Sequence, residues 1–155
     1  MLLANATMAQ QPIPAFSLTA GTDFNGVMTA LGLEGGIYTA NRRHSFMLTF
    51  GFDRLTNNDL IKYGRSEFVH PEVSMSEDSY PVGLKYAVKV ADGGPVSLSA
   101  VVHPWYSINI DRVSGFYGAR VVFWKRDIVA AEVLHDPFAG RMMLRFVFTT
   151  TFKKG

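Results

Sequence analysis

The chain has no cysteine, so it holds neither disulfides nor thiolate metal ligands. It is also short of charge. Asp, Glu, Lys and Arg together make up 18% of its 155 residues, against roughly 25% in ordinary soluble domains. Hydrophobic residues make up 48%, yet no stretch approaches the roughly 18 consecutive apolar residues a membrane helix needs. The formal net charge of +2 and the lack of a Lys/Arg cluster give no footprint for nucleic acid, and none is expected as a partner. Apolar content this high, without a spanning helix, must be packed in a soluble β-core or spread over alternate strand positions. Fourteen Gly and twelve Phe suit β structure with close strand approaches and aromatic girdles.

The last segment, Arg141–Phe152, settles which pattern to look for. Met142, Leu144, Phe146, Phe148, Thr150 and Phe152 fall on one face, and Arg141, Met143, Arg145, Val147, Thr149 and Thr151 on the other. Alternation of this kind, ending on an aromatic, fits the closing strand of an outer-membrane barrel. The pattern recurs over Ala15–Phe24, Val27–Thr39, His44–Arg54, Tyr80–Val90, Val96–Ile110, Tyr117–Phe123 and Val129–Val133. In the Val96–Ile110 segment Tyr106, Ile108 and Ile110 are placed outward with Val102. The expected fold is all-β: a closed, antiparallel, up-and-down transmembrane barrel of about eight strands. Residues 12–155 form its single domain, and residues 1–11 read as a residual signal peptide or a flexible N-terminus.

Connections fall into two classes. Ala40-Asn41-Arg42, Asp92-Gly93-Gly94 and Lys125-Arg126-Asp127 read as tight turns, and Asn25-Gly26 as a further short link. Thr56–Ser79 reads as a long polar loop, with shorter links at Ile110–Ser114 and Asp136–Ala139. Alternating sides puts tight turns at one end and longer links at the other, as in bacterial barrels. A three-residue turn at Asp92–Gly94 predicts Lys89 opposite Ser97, Lys85 opposite Val101 and Gly83 opposite His103. A turn centred on Arg126 predicts Arg120 opposite Glu132 on the non-lipid face, an ion pair across a hairpin.

The inward set then holds Glu34, Asp53 and Glu132 with Lys85, Lys89, Arg120, Arg141 and Arg145. Both signs in a narrow interior imply interlocking salt bridges that plug the barrel, not an open pore. Trp105, Tyr106, Trp124 and Phe152 read as interfacial aromatics, with His103 beside them.

No catalytic constellation emerges. His44 and Ser45 are adjacent on a strand and point to opposite faces. Pro104 separates His103 from Ser107, and His135-Asp136 sits at a strand end. Glu67, Glu72, Glu77 and Asp78 lack the near-alternate spacing of a calcium loop. Neither Gly35-Gly36 nor Gly93-Gly94 opens a helix as a phosphate loop does. The expectation is a non-enzyme without metal or cofactor.

Several short stretches resemble known barrels. They are Asn41-Arg42-Arg43 leading into Phe46–Leu55, a loop with Tyr63, and a strand opening at Val82-Gly83. Tyr106-Ser107-Ile108-Asn109, Gly115-Phe116-Tyr117-Gly118-Ala119 and the Phe-rich last strand follow. The layout resembles small outer-membrane barrels of the OmpA/OmpX type and, more narrowly, TraO-type proteins of conjugative elements in Bacteroidota. That resemblance implies an accessory of a conjugation or secretion apparatus in the bacterial outer membrane. Membrane lipids, and envelope proteins met through the 56–79 loop, would be its partners. Two alternatives remain: a soluble lipocalin-like barrel with its aromatic faces inward, and a lipid-modifying barrel enzyme.

Overall fold

Period-two alternation over barrel strands of 8 to 13 residues leaves each strand one apolar and one polar or small face. A sheet of such strands can bury one face completely by curling closed, and this one does. The structure, a computed structural model, describes residues 11–24, 29–72, 76–123 and 128–152. Its strands are β1 (Ile13–Asp23), β2 (Thr29–Tyr38), β3 (His44–Thr56), β4 (Ser76–Ser79), β5 (Pro81–Asp92), β6 (Val96–Ser107), β7 (Arg112–Phe123), β8 (Val129–Asp136) and β9 (Arg141–Thr151). Eight of them run antiparallel in the order β2-β1-β9-β8-β7-β6-β5-β3, and β2 pairs with β3 to close the ring. The short β4 pairs with the end of β3.

The tight turns gather at one rim. Between β2 and β3, Arg42 adopts φ 53° while Asn41 Oδ1 accepts from the Arg43 amide at 3.0 Å and from Thr39 Oγ1 at 2.7 Å. An asparagine side chain standing in for backbone in this way is what makes the residue a turn former. The β5–β6 hairpin differs from expectation. Gly93 donates to the Val96 carbonyl, so the tip is Gly94-Pro95, with Gly94 at φ +87°. A two-residue tip with glycine first matches the twist of the flanking strands. The tip is displaced, and pairing skips Val90 between Lys89 and Ala91. The observed partners are therefore Lys89↔Ser99, Ala87↔Val101 and Gly83↔Trp105. Pairing departs from the predicted register by two residues, which preserves the faces. Residues 25–28 and 124–127, with the expected Asn25-Gly26 and Lys125-Arg126-Asp127 turns and Trp124, lie outside the described residues, as do most of residues 1–11.

At the opposite rim, the segment expected as a polar loop is a folded lid. Helix α1 (Asn57–Lys62) starts at a Thr-x-x-Asp capping box: Thr56 Oγ1 accepts from the Asp59 amide, and Asp59 Oδ2 accepts from the Thr56 amide. A 3-10 turn at Ser66–Phe68 follows, then β4. The lid presses Leu60 and Tyr63 onto Leu55, Trp105, Ile110, Leu134 and Met143, forming an apolar layer inside this end of the barrel.

Three expected placements are corrected by the fold: His103, read beside the interfacial aromatics, is buried inside the barrel against Thr49. Ile110 is not on the outer face: β6 ends at Ser107, and the turn that follows folds Ile110 beneath the lid, fully buried. Trp105 is not an interfacial aromatic either. It shares parity with His103 and Ser107, so it points inward, packing edge-on against Tyr63 with ring centroids 5.9 Å apart. Its neighbour Tyr106 points outward, since adjacent strand residues cannot share a face.

Candidate functional site

The barrel interior is the part of the molecule with unusual chemistry, and strand parity builds it. In β6 burial alternates without a break from Val96 to Ser107. The other strands behave similarly, so nearly every charged strand residue away from the rims faces in. These residues form two ionic layers.

The central layer is built around Lys85. Its Nζ donates to Glu34 and, at 3.0 Å, to Glu132 Oε1. Arg145 reaches Glu132 Oε2 at 2.9 Å, and Arg120, directly across the β7–β8 ladder from Glu132, approaches it at 3.8 Å. Five charged side chains on β2, β5, β7, β8 and β9 thus meet inside the ring. His103 borders the layer. The Arg145 guanidinium can only donate, so His103 Nδ1 accepts at 3.4 Å and Nε2 carries the hydrogen facing Thr49 Oγ1 at 2.8 Å.

The second layer lies under the lid around Arg141. Its guanidinium holds Asp53 through both terminal nitrogens, reaches Asp23 at 3.1 Å, and lies 3.9 Å from the helix-capping Asp59. Tyr63 links this layer to the next turn. Its hydroxyl donates to Asp136 Oδ2 at 2.6 Å and accepts from Arg141 Nη1 at 3.5 Å. Asp136 also accepts from Ser114 Oγ and from the amides of Phe138 and Ala139, which holds the β8–β9 turn in shape. Burial pushes the Tyr63 phenol well above its ordinary value; the Asp136 carboxylate adds to the rise and the Arg141 guanidinium opposes it.

Of the residues singled out from sequence, Glu34, Lys85, Arg120, Glu132 and Arg145 come together in one layer, and Asp53 and Arg141 in the other. Lys89 belongs to neither. Beside the skipped Val90 it reaches the rim and pairs with Asp92 at 3.4 Å. Tyr106 and Phe152 are exposed. Sequence reasoning misses Asp23, Asp59, Tyr63, Ser114 and Asp136. Asp23 is recoverable, since it continues the parity of Ser17, Thr19 and Gly21, and Asp136 continues that of Glu132. Tyr63 and Asp59 are not, because nothing local says that the segment folds back into the barrel mouth.

Between the layers a cavity of about 40 Å³ lies against Gly32, Gly51, His103, Trp105 and Arg145. All four histidines bond to groups other than serine: His44 and His135 to tyrosine hydroxyls, His70 to Glu77, and His103 as above. Among the described residues no group of three or more His, Asp or Glu is placed to hold a metal ion. No helix of the described residues is long and apolar enough to cross a membrane, which says nothing of strands. The arrangement is a network of charge-assisted hydrogen bonds and ion pairs suited to fixing a structure, with Glu34 Oε2 and Arg145 Nε left without a hydrogen-bond partner among the described residues. Compared with known proteins, the chain matches no family model and no curated protein.

Proposed function

We propose that this chain is a non-enzymatic barrel of a bacterial outer membrane, a structural or partner-binding component plugged by its own side chains. The observation that carries the reading is an apolar belt on the outer surface. Through the strand registers, Val129, Phe148, Leu18, Leu33, Phe50, Val82, Tyr106 and Val113 are successive neighbours that visit all eight barrel strands. Phe148, Leu18, Leu33 and Phe50 each expose about half of their surface. Away from the rims, the described outward strand positions carry no Asp, Glu, Lys or Arg. Water-soluble monomers rarely expose contiguous apolar patches beyond a few hundred Å², whereas hydrocarbon favours this inversion of charge and apolarity. Most of these strands also have the roughly 9–11 residues that a tilted strand needs to cross a bilayer.

The lipocalin alternative needs the aromatic faces turned inward on a ligand space of about 300 Å³ or more. Here the Phe and Tyr faces point outward, and the cavity between the ionic layers is about 40 Å³. The described parts of the lid, residues 56–72 and 76–79, are the surface we assign to partners in the envelope, in keeping with an accessory of a conjugation or secretion apparatus.

The test is expression behind a complete export signal, followed by fractionation and by gel migration of heated against unheated samples. Recovery in the outer membrane with faster migration before heating is the expected result. A detergent-free, monodisperse protein in the soluble fraction would overturn the reading.

A further inference from the structure

We infer that the cavity between the two ionic layers is a binding site for water, which joins the central layer to the floor beneath the lid. The space exists because Gly32 and Gly51, paired across the β2–β3 ladder, share the inward parity of Glu34 and Asp53 but carry no side chain. It measures about 40 Å³. A buried water needs about 10–15 Å³ of such space, so the cavity takes about two or three.

The side chains lining this cavity include three that hold a buried polar atom with no hydrogen-bond partner within the protein: Glu34 Oε2, Arg145 Nε and Trp105 Nε1. None of these residues exposes more than 7% of its surface, so bulk solvent does not satisfy them. Folded chains rarely leave such groups unmatched. Thr49, on the same wall, adds a donor. His103 Nε2 donates to its oxygen at 2.8 Å, which leaves the Thr49 hydroxyl hydrogen for another acceptor. The mixture of groups selects the ligand. An anion would face the Glu34 carboxylate, and a cation would face the Arg145 guanidinium. An apolar guest would leave every one of these groups unmatched. Water both donates and accepts, and about two to four polar partners suffice to hold it. Glu34 belongs to the central layer through Lys85, and Trp105 packs on Tyr63 of the lid with ring centroids 5.9 Å apart. Water held by both makes the ionic plug and the floor of the lid one hydrogen-bonded unit. The site depends on the interior alone, so it stands or falls apart from the function proposed above.

The test is NMR of the full chain in detergent micelles with isotope-labelled tryptophan. The probe is water itself, read as a dipolar cross-peak between the solvent line and the Trp105 indole N–H, which is assigned by its loss in Trp105→Phe. The expected result is a cross-peak with the sign of a long-lived contact. It should be lost in Ala30→Val, whose added methyl groups take up space at a buried position lining the cavity. Melting of that variant is checked against wild type. No cross-peak at Trp105, or one undiminished in a folded Ala30→Val, overturns the site. Should Ala30→Val fail to fold, oxygen relaxation dispersion of the solvent around the wild-type protein decides. It detects waters that stay bound for longer than the protein takes to tumble. Detection of such water together with the Trp105 cross-peak supports the site, and its absence overturns it.

Discussion

Arg141 holds Asp53 in a two-pronged grip, Nη1 to Oδ2 at 2.9 Å and Nη2 to Oδ1 at 3.1 Å, across 88 residues of sequence. The same guanidinium reaches Asp23, so one fully buried cation on β9 ties together β1, β3 and the base of the lid. Removing one partner of such a buried set leaves uncompensated charge, which costs more than the set contributed when intact. Arg141→Met should therefore destabilise the barrel by about 3–5 kcal/mol. Arg141→Lys should recover part of that, because an ammonium keeps the charge but loses the bidentate geometry. Urea unfolding of the refolded protein, followed by gel migration, measures both.

The central layer makes a different prediction, because its carboxylates are not equally placed. Lys85 contacts both Glu34 and Glu132, but Glu132 also has Arg145 and Arg120. Lys85→Met should thus strand Glu34 far more than Glu132. The double variant Lys85→Met/Glu34→Leu should recover most of the stability lost in the single one. A double-mutant cycle should give a coupling between the two residues of about 1–3 kcal/mol. Independent, additive losses would mean that the two residues do not act as a pair.

Strand parity makes the central layer readable from the amino-acid sequence, and it fails where the chain leaves the strands. Arg120 and Glu132 are legible as a pair because the hairpin register and the alternation of faces impose it. Glu34 and Lys85 are legible as inward but not as partners, since β2 and β5 are not sequence neighbours and only ring closure brings them together. The lid is opaque for a related reason. The spacing of Leu60 and Tyr63 is too short to display a helical period, and what fixes their place is the apolar floor supplied by Trp105, Ile110 and Met143. Trp105 itself is misplaced when it is grouped with Tyr106 by residue type, against the alternation of the strand, which assigns it correctly.

The latch between Tyr63 and Asp136 gives the lid a pH dependence whose sign can be worked out. The folded state holds the Tyr63 proton more tightly than the unfolded chain, where the phenol has its ordinary value of 10.0. The stabilisation is thus fully present below that value and is lost progressively as pH rises above it. Thermal melts from about pH 8 to about pH 11 should fall at the alkaline end, and Tyr63→Phe should flatten that fall. At neutral pH the same variant should lose about 1–3 kcal/mol, since Asp136 stays buried without its strongest donor.

The outer belt separates a barrel in lipid from one in water by a single substitution. Leu48 is 62% exposed in the middle of β3, between Leu84 on one side and Gly35 on the other. A surface Leu→Arg change in a water-soluble protein usually shifts stability by no more than about 0.5 kcal/mol. An arginine placed on the lipid face near the bilayer midplane costs about 2–4 kcal/mol. Arg43, at the tight-turn rim, lies in the polar interface on the same reading, so Arg43→Gln should change stability little. Unfolding of Leu48→Arg and Arg43→Gln in lipid vesicles should therefore give a large loss for the first and almost none for the second. Both variants near zero would place the outer face in water, and the apolar belt would then need a protein partner to cover it.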